Sequence, residues 1–221
     1  MTTEIELKYQ LSENSENNST VVADITAMLE ANNLSFDMDQ NQLVNDYFDN
    51  DVFALRKMDL GLRIRTKNQQ YEQTIKTAGK VVGGLHQRPE YNVDIVNGKL
   101  DLSLFPSGIW PEKVNLMNLT KSLKIIFSTN FSRQTWLIHQ DDNIIELALD
   151  EGEISTALGQ STAAINEIEI ELVSGNKQAL FGLAKQLRAV VTMEPSDLSK
   201  AARGYALYYA QMDQRRTKDL T

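Results

Sequence analysis

The sequence predicts an α+β protein in which many short antiparallel strands form a sheet or a barrel and a few helices cover it. Short runs of alternating apolar and polar residues recur along the 221 residues, which is the pattern of half-buried strands. Only three segments have the spacing of amphipathic helices, and they do not alternate with the strands in the rhythm of parallel βαβ units. Antiparallel pairing is therefore expected throughout.

The individual elements follow from the same periodicities. The predicted strands cover residues 3–11, 44–49, 61–67, 71–77, 87–96, 131–139, 143–150 and 165–173. The predicted helices cover residues 19–33, 178–191 and 199–212. Gly79, Gly83 and Gly84 punctuate a long connection between two strands. With no internal repeat and no interdomain linker, we expect one domain over residues 1–212 and a polar, fraying tail over residues 213–221.

Composition excludes several classes of function. Because the chain has no cysteine, it has neither a disulfide framework nor a thiolate metal site. Its net charge of −8 gives no overall attraction for phosphate backbones, which argues against nucleic acid as a partner. No apolar run approaches the length of a membrane span, and the N-terminus lacks the layout of a signal peptide. We therefore expect a cytoplasmic protein without membrane or nucleic-acid partners.

Several strands carry one fully charged face. In the first strand, Glu4, Glu6 and Lys8 point to one side and the intervening apolar residues to the other, because side chains alternate along a strand. The same arrangement recurs in later strands. The further polar faces are formed by Arg63 and Arg65; Thr74 and Lys76; Arg88, Glu90, Asn92 and Asp94; Glu146, Ala148 and Asp150; and Glu167, Glu169 and Glu171. The signs of charge are thus largely segregated by strand.

Two architectures can use these charged faces. In an open sheet they would be solvated and would only keep the protein soluble. In a closed barrel they would point inward, and the helices would cover the apolar outer face; Phe181, Leu183, Leu187 and Val190 give the helix over 178–191 a face for this. Like-charged neighbouring strands destabilise an exposed surface, whereas an interior that binds cations and polyanions uses both signs. The pattern alone leaves both architectures open.

Seven motifs, in order along nearly the whole chain, resemble one known family. They read EIELK at 4–8, GLRIR at 61–65, EQTIK at 72–76, GGLHQRPEY at 83–91, LALDEG at 147–152, EIEIEL at 167–172 and LSKAARGY at 198–205. The first resembles the ExExK signature of the CYTH superfamily, the triphosphate tunnel metalloenzymes. The run at 83–91 is similar to that of the bacterial inorganic triphosphatases. The resemblance implies an eight-stranded antiparallel barrel with a charged interior, the triphosphate tunnel, and helices packed outside.

The resemblance also implies a reaction and its residues. The reaction is hydrolysis of inorganic triphosphate, or a related small polyphosphate, to diphosphate and phosphate with two Mg²⁺ or Mn²⁺ ions. Glu4 and Glu6 would hold the ion that activates water, with Lys8 beside them in the catalytic set. Asp150, Glu169 and Glu171 would hold the ion that bridges the phosphates. Substrate contacts are implied for Lys8, Arg63, Arg65, Lys76, Arg88, Arg133, Lys200 and Arg203. Glu90 would orient the neighbouring basic side chains.

Several alternatives remain open at this point. Within the same fold, the chain resembles CYTH-type adenylate cyclases and thiamine or nucleoside triphosphatases, and a non-catalytic polyphosphate-binding module is a third reading. Glu146 and Glu167 are either rim acids or part of the site. His86 and His139 lack metal-ligand spacing and are interpreted as ordinary structural residues. Relatives in the inorganic triphosphatase branch usually continue into a helical CHAD domain, so a longer parent chain with that domain and a single-domain relative both fit.

Overall fold

Eight antiparallel strands close into a barrel in the computed structural model, which describes residues 2–11, 18–159 and 162–218. The strands are β1 (Thr2–Leu11), β2 (Ser35–Asp49), β3 (Gly61–Lys67), β4 (Gln70–Lys76), β5 (Lys80–Val82), β6 (Leu85–Ile95), β7 (Lys124–Gln140), β8 (Asn143–Thr156), β9 (Thr162–Ser174) and β10 (Met193–Pro195). The helices are α1 (Asn18–Ala31), α2 (Ala54–Lys57), α3 (Leu116–Ser122), α4 (Gln178–Leu187) and α5 (Lys200–Lys218).

The barrel closes because the first strand pairs with two barrel neighbours. Hydrogen-bonded strands follow the order β1, β9, β8, β7, β2, β3, β4 and β6, and β6 pairs back with β1. Every one of these pairings is antiparallel. The short strands β5 and β10 flank β6 and β1. The predicted eight-stranded antiparallel barrel is thus confirmed, and the open sheet is excluded.

The strands β2 and β7 are much longer than predicted. β2 begins at Ser35 instead of residue 44, and β7 begins at Lys124 instead of residue 131. The first half of β2 forms a polar ribbon with β7, in which Gln42 Nε2 donates to Asn130 Oδ1 at 2.6 Å. Most side chains of residues 35–42 are exposed, and apolar residues alternate with polar ones at only two positions, Phe36 and Met38. This run is too short for periodicity to predict a strand.

The main hydrophobic core lies between the outer face of the barrel and the helices. α1 and α4 pack together over the apolar faces of β1, β8 and β9. The buried face of α4 comprises Leu180, Leu183, Ala184 and Leu187, which is the i, i+3, i+4, i+7 pattern of a packed helix. The prediction of Leu183 and Leu187 is confirmed, but Phe181 and Val190 are 47% and 43% exposed. The helices therefore lie outside, with the α4 face rotated from the predicted one.

Helix α5 lies across β7, β8 and β9 and extends further than predicted. It runs to Lys218 instead of ending at residue 212, so residues 213–218 of the predicted tail are helical, and residues 219–221 lie outside the described part. Gly204 allows the helix to approach the barrel closely, because a Cβ atom there would come within 2.3 Å of the Phe127 ring. This contact sets the position of the start of α5, from which Lys200 reaches the barrel interior.

Candidate active site

A cavity of about 420 Å³ runs through the barrel interior and is lined by charged side chains. We call it the tunnel chamber. Its acidic residues are Glu4, Glu6, Glu72, Glu90, Glu146, Glu169 and Glu171. Its basic residues are Lys8, Arg63, Arg65, Lys76, Arg88, Arg133 and Lys200. Because the two sets are equal in number, the chemistry of the chamber depends on which charges are already paired with each other.

The first acidic cluster has more negative charge than its neighbours compensate. Glu6 on β1 lies directly opposite Glu171 on β9 in the strand register. Glu6 is 2% exposed, and its Oε1 atom accepts no hydrogen bond from any residue described. Burial, together with the charges of Glu4 and Glu6, raises the pKa of Glu171 to about 8. A buried group of oxygen ligands with surplus negative charge fits a hard divalent cation.

Glu4 connects this cluster to two cations. Its carboxylate accepts hydrogen bonds from Lys76 Nζ at 2.6 Å and from Arg88 Nε at 2.9 Å. Burial alone would raise the pKa of Glu4, but the charges of Lys76 and Arg88 outweigh it and bring this pKa well below its usual range. Glu4 is therefore ionised at any physiological pH. Its carboxylate, which forms one side of the first acidic cluster, is held in place by Lys76 and Arg88.

The second acidic cluster, in contrast, is already neutralised. Carboxylate oxygens of Asp150, Glu167 and Glu169 lie within 4.8 Å of one another. The Lys200 ammonium sits among them, with Nζ 2.5 Å from Asp150 Oδ2 and 3.0 Å from Glu169 Oε1. Lys8 also donates to Glu169. A cation bound by this cluster would have to displace the Lys200 ammonium.

Arg133 joins the second cluster from the neighbouring strand. It lies opposite Asp150 in the register of β7 and β8, and both its Nε and one terminal nitrogen donate to that carboxylate at 2.7 Å. A further contact reaches Glu169. Such forked pairs are geometrically specific. Although burial opposes the charge, Asp150 and Glu169 raise the pKa of Arg133 well above its usual range. Arg133 therefore faces the chamber as part of a rigid charged wall.

The opposite wall, on β3, has surplus positive charge. Arg65 donates from Nε to Asn45 Oδ1 at 2.9 Å. Burial and the charges of Arg63 and Arg133 lower the pKa of Arg65 to about 10. Arg63 is 9% exposed, and its Nε donates no hydrogen bond to any residue described. Glu90 Oε1 is 3.6 Å from a terminal nitrogen of Arg63. This wall thus attracts an anion.

Of two further residues predicted from the sequence, Glu90 lines the tunnel chamber and Arg203 lies outside it. Glu90 Oε2 lies 2.9 Å from Lys76 Nζ while its other oxygen faces Arg63, so its carboxylate stands between two predicted substrate contacts. Arg203 does not line the tunnel chamber. Its guanidinium donates to Glu167 Oε2 at 2.7 Å and to the Ala164 carbonyl, so it braces α5 against β9.

The sequence of this chain matches one known family over nearly its whole length. A family model described as the CYTH domain matches residues 2–205. The chain belongs to the CYTH domain family. An inorganic triphosphatase of Haemophilus influenzae is 40% identical to it over 166 residues, which cover 75% of this chain and 46% of that protein. This CYTH chain therefore spans about half the length of that relative.

Solved structures share the CYTH barrel. A candidate adenylyl cyclase from Hippeastrum, described as having a dominant triphosphatase activity, superposes with a TM-score of 0.64 at 21% identity over 92% of this chain and 95% of its own. The triphosphatase of the mimivirus capping enzyme superposes with a TM-score of 0.53 at 11% identity over 86% and 90%. At these identities the likeness is one of fold. Within the parts described here, no helix combines the length and apolarity needed to cross a membrane.

The CYTH barrel also contains site residues that the sequence left open or did not single out. Glu167 is 1% exposed and accepts hydrogen bonds from Lys200 and Arg203, so it is no solvated rim acid. Its signal was present, since it shares the alternation of Glu169 and Glu171. Glu146 is about one-third exposed near Arg133. Asn45 had no comparable signal, because a lone amide in a strand is equally common on a solvated face.

Proposed function

We propose that this domain hydrolyses inorganic triphosphate to diphosphate and orthophosphate, using a divalent cation held in the tunnel chamber. Support comes from the inorganic triphosphatase of Haemophilus influenzae, which is 40% identical over three quarters of this chain. Further support comes from a chamber that holds strong charges of both signs and is enclosed by the barrel. Triphosphate hydrolysis needs both signs, because an anionic substrate and a cation must meet in one place.

One observation carries the proposal: two buried charged groups of opposite sign, Glu6 Oε1 and Arg63 Nε, line the same chamber without a hydrogen-bond partner among the described residues. In the same chamber, burial and the charges of Glu4 and Glu6 raise the pKa of Glu171, and burial and the charges of Arg63 and Arg133 lower the pKa of Arg65. In a purely structural chamber, ion pairs within the protein would satisfy these groups. A polyphosphate beside Arg63 and Arg65, together with a cation beside Glu6 and Glu171, would satisfy them instead.

We assign the divalent cation to the first acidic cluster. The second cluster, Asp150, Glu167 and Glu169, has carboxylate oxygens within 4.8 Å of one another, but the Lys200 ammonium already lies among them. Glu4, Glu6 and Glu171 supply carboxylate oxygens, and one of these, Glu6 Oε1, is buried without a hydrogen bond. Oxygen-only ligands suit Mg²⁺ or Mn²⁺. When bound, such a cation neutralises phosphate oxygens and lowers the pKa of the attacking water. The second ion, predicted at Asp150, Glu169 and Glu171, stays a prediction; at Asp150 and Glu169 it requires Lys200 to move.

The basic side chains would orient the substrate. Arg63 Nε has no hydrogen-bond acceptor among the described residues, and Arg65 Nε donates to the neutral Asn45 amide, so both guanidinium groups are placed to bind phosphate oxygens. Lys76 and Arg88 bridge the two halves of the chamber, because each contacts Glu4 and also faces the lumen. Arg133, Lys8 and Lys200 are tied to carboxylates and keep the wall rigid. Fixed donors of this kind hold the phosphates in line for attack and need no reorganisation during the reaction.

Some expectations stay predictions. A direct substrate contact by Arg203 would require the guanidinium to leave Glu167. A CHAD domain in a longer parent chain, a cytoplasmic location and the lack of nucleic-acid or membrane partners rest on the sequence alone. Adenylate cyclase, thiamine triphosphatase, nucleoside triphosphatase and pure binding remain the alternatives that an assay must separate from the proposed reaction.

The test is an assay of phosphate release from inorganic triphosphate, ATP and thiamine triphosphate with Mg²⁺ or Mn²⁺, and with EDTA. The products are identified by chromatography. We expect metal-dependent release of equal amounts of orthophosphate and diphosphate from inorganic triphosphate, and a large loss of this activity in the Glu171→Gln variant. Absence of turnover with every substrate would leave the domain as a binding module, and cyclic AMP from ATP would identify a cyclase.

A further inference from the structure

A second cavity, of about 190 Å³, adjoins the tunnel chamber beside α5. Arg63, Lys76 and Arg88 line both cavities, so the two spaces lie on either side of these side chains. On the far side the second cavity reaches Arg56 in α2 and Lys80 in β5. We call it the basic chamber, defined by these five cations.

The basic chamber differs from the tunnel chamber in the sign of its charge. Five basic residues line it, and Asp59 is the one acidic residue on its described wall. The glutamates that balance the tunnel chamber all line that chamber and not this one. Since counter-charge is confined to one side, the potential becomes positive from the tunnel chamber into the basic chamber, which favours an anion there.

Arg56 and Lys80 have no carboxylate partner among the described residues. Both are exposed at the mouth of the cavity, and Arg56 lies over the ring of Tyr205 with its guanidinium carbon 5.4 Å from the ring centre. This contact positions the guanidinium and leaves its donors open. Deeper in, Arg63 Nε is buried and forms no hydrogen bond with the residues described. Unused donors therefore occur at both ends of the basic chamber.

The aromatic residues of the basic chamber do not offer a stacking surface for a nucleobase. The Tyr47 ring is stacked on Phe127, with centroids 4.5 Å apart. Tyr205 donates its hydroxyl to Asp49 Oδ2 at 2.9 Å, and its ring is packed between Arg56 and the edge of Phe127. Because both tyrosines are buried and engaged, the chamber presents cationic donors and little else that is specific.

We propose that the basic chamber is a phosphate subsite that binds the far terminal phosphate of a linear polyphosphate longer than triphosphate, such as inorganic tetraphosphate, through Arg56 and Lys80. This inference rests on the proposed function, since the tunnel chamber would hold the other phosphates. Hydrolysis consumes one water. Its oxygen bonds to the terminal phosphorus beside Glu6 and Glu171, the bridging P–O bond breaks, triphosphate leaves with the bridging oxygen, and the released proton passes to solvent.

The experiment compares kcat/KM for inorganic tetraphosphate and triphosphate in the wild type and in the double variant Arg56→Gln with Lys80→Gln. We expect the tetraphosphate-to-triphosphate ratio to fall about tenfold in the double variant, mainly through KM, as for loss of charge-assisted contacts. The matched control, Lys57→Gln with Lys99→Gln, removes the same charge from exposed residues that line neither cavity, and should keep the wild-type ratio. Arg56→Lys instead of Arg56→Gln in the double variant should restore part of the lost tetraphosphate-to-triphosphate ratio, because the positive charge is kept.

Two further measurements separate the other outcomes. If the subsite instead holds free orthophosphate, the double variant will raise the inhibition constant of orthophosphate but leave the substrate ratio unchanged, and the proposal is then wrong. Calorimetric titration of the metal-free protein with tetraphosphate and triphosphate tests binding without turnover. If the wild type hydrolyses neither substrate, the proposed function fails; the subsite stands only if tetraphosphate binds more tightly than triphosphate and the double variant loses this difference.

Discussion

Glu6 and Glu171 lie directly opposite each other on the adjacent strands β1 and β9; the Glu6 carboxylate is buried and that of Glu171 is half-buried. Opposed like charges destabilise a sheet. Here the neighbouring bases bond mainly to Glu4, and the closest cations to Glu6 Oε1 are Lys8 and Arg88 at 3.6 and 3.7 Å, too far for hydrogen bonds. Burial and the charges of Glu4 and Glu6 therefore raise the pKa of Glu171 to about 8. The divalent cation proposed for this cluster would stabilise both carboxylates as anions.

The first prediction concerns stability against pH in EDTA. Between about pH 4.5 and 8 the folded protein keeps a proton on Glu171 that the unfolded chain has lost, so this group makes the free energy of unfolding fall as pH rises, by at most ~1.4 kcal/mol per pH unit. Glu4, Asp150 and Glu169 have lowered pKa values, so their contributions to stability change only below this window and are constant within it. Urea unfolding of the Glu171→Gln variant should lack the Glu171 slope; an unchanged slope from pH 5 to 8 would contradict it.

The second prediction concerns the carboxylates of β1. Glu4→Gln or Glu6→Gln should lower kcat by about 10²–10⁴-fold, because an amide is a poor ligand for a hard cation and the water is no longer activated. Circular dichroism should show an intact fold. Glu151→Gln is the control, since Glu151 is exposed on the outer part of β8. Turnover near the wild-type value in both β1 variants at saturating metal would remove these residues from the mechanism.

The third prediction concerns the basic wall. Arg63→Ala, Arg65→Ala and Lys76→Ala should each weaken transition-state binding by roughly 1.5–3 kcal/mol, or about ten- to a hundredfold in kcat/KM for triphosphate. Lys67→Ala is the matched control, because Lys67 ends the same strand β3 but is about half exposed. The measurement is kcat/KM for triphosphate in each of the four variants by steady-state kinetics. Equal kinetic constants in all four variants would mean that Arg63, Arg65 and Lys76 do not contact the substrate.

The fourth prediction concerns substrate choice. The tunnel chamber presents charged groups and few apolar or aromatic contacts for a base and ribose. We expect kcat/KM for inorganic triphosphate to exceed that for ATP by at least about 10²-fold, equivalent to roughly 2.7 kcal/mol of differential transition-state binding. Cyclic AMP should not form. Side-by-side kinetics with chromatographic product analysis tests this, and comparable efficiency with ATP would favour a nucleoside triphosphatase.

The fifth prediction compares two helical glycines. Gly204→Ala should destabilise the protein by ~1–3 kcal/mol, because the new Cβ would overlap the Phe127 ring and push α5 from the barrel. Gly182→Ala in α4 meets no atom within 4 Å and should stabilise by ~0.4–1 kcal/mol through the unfolded state. Thermal and urea unfolding of both variants provides the measurement. Similar effects of the two changes would show that α5 is not closely packed at Gly204.

The alternation of residue types by itself determined which side chains share one face of each strand. Glu4, Glu6, Arg63 and Arg65 were placed on charged faces from period two alone, since successive side chains of a strand point to opposite sides. Barrel closure was not determined in this way, because the same faces suit an open sheet. Periodicity also did not predict the polar ribbon of β2 and β7, because alternation indicates which residues are buried and not which strands pair. It did not predict the buried face of α4 correctly either.

Only the tertiary structure decided which charges remain unpaired. Glu171 and Glu169 lie two residues apart on one strand and look equivalent in sequence. Folding places Glu169 against Lys8, Lys200 and Arg133, whereas Glu171 meets Glu4 and Glu6, so their pKa values move in opposite directions. The partners come from distant parts of the chain, and Coulomb interactions depend on their final separation and burial. A strand pattern contains neither quantity.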